Sequence, residues 1–219
     1  MEASDLTKTA LMRTSQDYPS RSLMMTSPRD SSSIVLALSL LLLGTFFRVL
    51  RADLAPETLP NFAPLMAAAL CGALYLPVWI GLALPLAALL LSDAMLNLHL
   101  GEPILSSQIL WTLPCYLMAV GLGWNLRGKV HGLLPVVGST LAASVIFYLV
   151  TNTGSWLGLA GYPQTFAGWA QAMTTGLPGF PPTWTFFRNS LAGDLLFAAC
   201  FVLLERGVAR QRRAVRLAA

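Results

Sequence analysis

Charge is what this sequence has least of. Lys, Arg, Asp and Glu together make up 11% of 219 residues, where a soluble globular domain carries about 25%. With 55% hydrophobic residues and a mean hydropathy of +0.63, that shortage excludes an ordinary water-soluble domain and points to an integral membrane protein. One membrane domain fills this length and leaves no room for a sizeable soluble module. The equipment of familiar catalysts is missing too. There is no G-x-x-x-x-G-K-[ST] loop to hold ATP phosphates and no H-E-x-x-H pair. The two histidines, His99 and His131, are read on opposite sides of the membrane, so neither can activate Ser139 as a nucleophile. Cysteine is sparse as well. Cys71, Cys115 and Cys200 stand far apart in apolar runs without a C-x-x-C, as small packing residues rather than ligands. The chain is therefore read as a non-enzyme with no cofactor and no metal. Its net charge of +4 does not argue for nucleic acid, because in a membrane protein the placement of positive charge matters more than its sum.

What is abundant is apolar sequence in long runs. Spans are expected over 33–50, 61–76, 78–98, 104–124, 133–150 and 183–204. Asn61 is the expected N-cap of the second, with Pro64 in its first turn and Pro77 as its end. Ala68 with Gly72, and Gly138 with Ala142, offer small faces for close helix contact. Pro114 should kink the fourth span. Between 151 and 182 there is no charged residue, and Phe166, Trp169 and Met173 fall at i, i+3 and i+7, the pattern of a short helix lying in the interface. The fold class expected is all-α: six transmembrane helices over 32–205, with an interfacial helix between the fifth and sixth. A polar stretch, 1–31, reads as a disordered cytoplasmic tail and 206–219 as a basic cytoplasmic one. Eleven of the fourteen Lys and Arg lie in the first tail, in the 127–129 loop or in the last tail. Six crossings put those three segments on one side, which the positive-inside rule makes the cytoplasm. The expected location is the cell inner (plasma) membrane, multi-pass, with both termini inside.

Against this background the polar residues inside apolar runs stand out. Arg188 and Asp194 lie in the sixth span, where an ionisable residue costs roughly 2.5 to 3.5 kcal/mol on insertion scales. They are about 120° apart around a helix, so each needs a partner on another span; Arg188 or Arg48 with Asp93 is the first pairing to expect. Asp93, Asn152, Arg188 and Asn189 fall toward the outer side, as do Trp156, Trp169 and Trp184, and Asp194 falls near mid-depth. Two readings stay open. These residues either line an intramembrane binding site or lock the packing of the bundle.

A resemblance bears on that choice. Asn61-Phe62-Ala63-Pro64, the Pro85-Leu86-Ala87-Ala88 run to Ser92-Asp93, Val150-Thr151-Asn152 and Tyr162-Pro163-Gln164-Thr165 resemble an uncharacterised family of bacterial six-span proteins. So does the closing Phe187-Arg188-Asn189-Ser190-Leu191-Ala192-Gly193-Asp194-Leu195. That family looks like the substrate-binding S components of energy-coupling factor transporters, over about residues 33–204. The resemblance implies a small-molecule capture subunit that works with a transmembrane coupling subunit and ATPase subunits. Its ligand would enter from outside, into a pocket of Asp93, Asn152, Arg188, Asn189 and Asp194. The Ala-x-x-x-Ala docking signature of S components is absent, since Ala37 is followed by Leu41. The alternatives are a structural or assembly protein of the membrane and a stand-alone ion-coupled carrier, for which Asp194 at mid-depth would suit proton coupling.

Overall fold

An eleven-residue helix sits at the centre of the structure, and four longer helices surround it. The computed structural model describes residues 62–218 except 100, 102, 105, 106 and 131, together with Val35, Leu38, Ser39, Leu42 and Phe46; all belong to one compact unit, Ser31–Ala219. Its elements are α1 (Leu65–Tyr75), α2 (Val78–His99), α3 (Ile109–Leu126), α4 (Leu133–Gly158), α5 (Phe166–Met173) and α6 (Thr183–Ala218). Among the described residues no strand occurs. Among those residues three helices are long and apolar enough to cross a membrane, over Val78–Leu98, Ile109–Leu126 and Leu133–Gly158. The expected first span, with Arg48, lies outside the described residues apart from the five positions named, which are helical. The amino-terminal tail and His131 lie outside them as well.

Of the second expected span, 61–76, only α1 is helical among the described residues. At 1.5 Å per residue it is about 16 Å long, half of a hydrocarbon core of about 30 Å. It is apolar on every side, and such a helix is stable only when surrounded. Ala67, Ala69, Leu70, Cys71, Ala73 and Leu76 have no exposed surface, and α1 touches α2, α3, α4 and α6. Small residues allow that enclosure. A Cβ on Gly81 of α2 would lie 2.6 Å from the Gly72 carbonyl oxygen, and one on Gly123 of α3 would lie 2.5 Å from that of Leu70. The helix begins later than expected: Pro64, not Asn61, is the N-cap, and it gives no side-chain cap bond. Residues 62–64 are non-helical. Pro77 ends α1 as expected, because it has no N–H for the Ala73 carbonyl. α2 then starts directly at Val78.

The fifth expected span is corrected in the other direction. α4 continues eight residues past 150, to Gly158, because its polar residues bond back along the helix. Thr151, Asn152, Thr153 and Ser155 donate to the carbonyls of Phe147, Tyr148, Leu149 and Thr151. A side chain that donates to its own helix four residues back need not leave the apolar layer. Asn152 is thereby inside the helix rather than at its end. The Gly138–Ala142 face is not a contact face: both are exposed, and a Cβ on Gly138 would meet nothing within 4 Å. Pro114 lies inside α3 as expected.

α5 forms where the interfacial helix was expected. Thr165 caps it, its hydroxyl oxygen accepting from Gly168 N at 3.2 Å. Trp169 Nε1 donates to Thr153 Oγ1 at 3.1 Å, which ties α5 to α4. α6 is 36 residues long, about 54 Å, and the basic stretch read as a tail is its continuation. The apolar core has two parts on either side of α1. Leu70, Leu74, Val136, Phe201 and Val202 pack at the end carrying Arg127. Met66, Leu89, Tyr116, Val120 and Ala143 pack between α1 and helices α2, α3 and α4.

Candidate functional site

Two polar stripes face each other across α4 and α6. Thr140, Ser144, Tyr148, Thr151 and Ser155 recur at three- and four-residue steps on α4, and Thr183, Phe187, Ser190 and Asp194 do so on α6. Tyr148 and Phe187 stack where the stripes meet, ring centroids 4.4 Å apart.

At the inner end of the α6 stripe, Asp194 is buried, 2% exposed. Its Oδ1 accepts from Ala67 N at 3.0 Å, and its Oδ2 accepts from Ser144 Oγ at 2.7 Å; the Met66 N–H also bonds the carboxyl. Met66 and Ala67 lie in the first turn of α1, whose N–H groups have no carbonyl behind them. A carboxylate from α6 thus caps α1 and complements the positive end of its dipole. The other end of α1 mirrors this. Arg127, just beyond α3, donates through Nη2 to the carbonyls of Ala73 and Leu76, the first of which Pro77 leaves without a donor. A helix too short to hold itself is gripped at each pole by a charge of the matching sign.

Beyond the Asp194 pole opens a cavity of about 610 Å³, within the 300–1,000 Å³ usual for small-molecule sites. Leu65 forms part of its lining at the start of α1, with Asp93 from α2, Thr112 from α3, Thr151 and Asn152 from α4, and Phe187 and Ser190 from α6. The loop between α4 and α6 closes it with Tyr162, Leu177 and Phe180. That loop is bonded down at several points. Tyr148 Oη donates to the Met173 carbonyl, Trp156 Nε1 to that of Pro163 at 2.8 Å, and Gln164 Nε2 to that of Trp156 at 2.7 Å. Burial holds the Tyr162 hydroxyl above the ordinary phenol range, and its hydrogen bond with Thr183 works in the opposite direction. Between Gly176 and Gly179, both at positive φ (72° and 88°), the backbone turns in a region that glycine tolerates. Phe180 follows, 70% exposed at the rim.

Of the residues singled out from the sequence, Asp93 and Asn152 line this cavity, and Arg188, Asn189 and Asp194 are not among its described lining. Arg188 lies on the exposed flank of α6, one residue beyond the stripe. Its Nε donates to Asn189 Oδ1 at 3.2 Å and its guanidinium stands 5.3 Å from the Trp184 ring centroid, so these, not Asp93, are the partners it shows. Asn189 is buried. Sequence reasoning missed Ser144, Tyr148, Thr151, Ser190 and Arg127. The signal for the first four was present, since hydroxyls repeat at helical spacing in two otherwise apolar helices. Among the described residues no cluster of His, Cys, Asp and Glu could hold a metal, and Cys71, Cys115 and Cys200 are unpaired by disulfides.

No curated protein and no solved structure matches the chain. The buried half-helix, its two charged poles and the cavity all fall within residues 29–215, which match a family described as a family of unknown function, DUF6580, and the chain belongs to that family.

Proposed function

We propose that this chain is an integral membrane protein that captures a small molecule from outside the cell. It would serve as the substrate-binding subunit of an importer of the energy-coupling factor type. The observation that carries this reading is the cavity: about 610 Å³, mainly apolar and aromatic with a few polar side chains, at the end of the bundle away from Arg127 and the basic end of α6. Six crossings follow if 33–50 forms the first and α1, entered through the non-helical residues 62–64, forms the second. Irregular backbone at membrane depth is tolerated where it lines a cavity, and broken helices meeting at a central site are a recurring design of transport proteins. The positive-inside rule then puts the basic end and both termini in the cytoplasm of a plasma-membrane protein, and the cavity mouth outside. The chain carries no nucleotide loop, so energy would come from a transmembrane coupling subunit with ATPase subunits.

A structural role in the membrane is the second reading, favoured by Asp194, whose carboxylate is engaged by α1 and Ser144. We assign Asp194 to the scaffold and the cavity to the function. The test is to purify the protein in lipid nanodiscs and analyse the denatured sample by mass spectrometry. A small molecule should be released from the unaltered protein and be missing from Ser155→Trp, which puts an indole among the residues that line the cavity. Its presence in equal amount in both would count against capture in this cavity.

A further inference from the structure

We propose that Thr112 is the residue that orients the ligand, and that the ligand is an apolar ring compound presenting a hydrogen-bond acceptor, a carbonyl-type oxygen, to its hydroxyl; this deepens the capture reading and rests on it. A serine or threonine inside a helix ordinarily turns its proton to a carbonyl on the preceding turn. Thr151 and Ser155 do so on α4, onto the carbonyls of Phe147 at 2.8 Å and Thr151 at 3.2 Å, and Ser190 does so on α6, onto that of Phe187 at 3.1 Å. Thr112 is denied that outlet. The carbonyl four residues before it, that of Gln108, already accepts from two backbone N–H groups, Trp111 at 3.1 Å and Thr112 itself at 3.0 Å, and a carbonyl oxygen has only two lone pairs. Among the described residues the Thr112 hydroxyl has no partner, although Thr112 is buried, 8% exposed. What it borders is the cavity. A buried hydroxyl with an unspent proton is costly unless something supplies an acceptor.

The wall around it is apolar. Leu65 and Phe147 line the same cavity and pack against the core cluster that holds Tyr116. Phe186 and Phe187 continue the wall, Phe187 stacked on Tyr148. Such a surround buries a ring without fixing which way round it lies, and one donor at the right place fixes it. Tyr116 gives the contrast. Four residues along α3, on the same face, its hydroxyl also has no partner, but Tyr116 is 1% exposed and is not among the described lining. Thr112 has both an unspent proton and a place on the cavity.

The test uses three probes on one bicyclic skeleton. Indan-1-one carries an acceptor, indan-1-ol a group that both donates and accepts, and indane neither. Binding is measured by equilibrium dialysis against the full chain in nanodiscs, with protein-free nanodiscs subtracted for partition into lipid. Indan-1-one should bind at least about threefold more tightly than indane, the worth of one neutral hydrogen bond, with indan-1-ol between them. Thr112→Val keeps the shape and removes the hydroxyl. It should bring the ratio of indan-1-one to indane to one while the melting temperature of the empty protein stays the same or rises, because no bond within the protein is lost. Thr112→Ser and Tyr116→Phe should keep the ratio. Equal binding of indan-1-one and indane, a ratio that survives Thr112→Val, a lowered melting temperature in that variant, or a ratio lost in Tyr116→Phe overturns the assignment of Thr112 and leaves capture standing. If no probe binds, the molecule released from the purified protein decides. Its loss from Thr112→Val supports the assignment, and its retention in equal amount overturns it. No binding and no released molecule overturn the capture reading, and this assignment with it.

Discussion

Asp194 was visible in the sequence as an ionisable residue with no business in an apolar run; what it does there was not. Its main partner is a backbone N–H 127 positions earlier, and no side-chain pattern announces a backbone donor. The bond explains why the residue is tolerated. A carboxylate accepting from a helix N-terminus and a hydroxyl is stabilised where a bare one would not be. Asp194→Ala leaves the first-turn N–H groups of α1 without their acceptor, while the Ser144 hydroxyl keeps the Thr140 carbonyl at 2.9 Å, and should lower stability by about 3 kcal/mol. Asp194→Asn keeps one acceptor and loses the charge, and should cost about 1 to 2 kcal/mol. Thermal unfolding of the solubilised protein measures both. Equal losses would contradict the capping role. Asp93 and Asn152 reached the cavity as their positions suggested. Arg188 did not, because a single step along α6 turns a side chain by 100°, from the stripe to the exposed flank.

Elements were legible where hydropathy decides and misread where hydrogen bonding does. Pro77 and the 78–98 run gave α2 nearly to the residue, and the i, i+3, i+7 pattern gave α5. Residues 61–76 read as helix throughout because apolar content does not show where non-helical backbone gives way to helix, which here happens only at Leu65. Thr151-Asn152-Thr153 read as the end of a helix because side chains that satisfy themselves on the preceding turn cannot be told from ones seeking water. The grip on α1 makes two predictions. Arg127→Met removes the donor to the Ala73 and Leu76 carbonyls and should lower the unfolding free energy by about 1 to 3 kcal/mol. Gly123→Ala drives a methyl to 2.5 Å from the Leu70 carbonyl and should cost a further 1 to 3 kcal/mol, roughly the penalty of overpacking. Unchanged denaturation curves for either variant would mean that α1 is not seated as described.

At the scale of the whole molecule, the orientation we propose rests on the distribution of Lys and Arg. A reporter fused after Arg216 should read cytoplasmic, and one inserted near Pro163 should read external; an external carboxyl terminus would remove the mouth of the cavity from the side assigned to it. The all-helical class was legible because long apolar runs survive any rearrangement of their ends; among the described residues three of them form helices long enough to cross a membrane. The cavity was not, since its described lining comes from five helices and a loop whose meeting depends on how α1 is seated. That seating also sets an order of events during synthesis. Eleven residues are too few to hold a helix alone in water, and the carboxylate that caps α1 is made 127 residues later. The segment must leave the ribosome and wait, and the last helix to emerge completes the first one described. A chain stopped before α6 should therefore be cleared by membrane proteases even though its long apolar helices have already inserted.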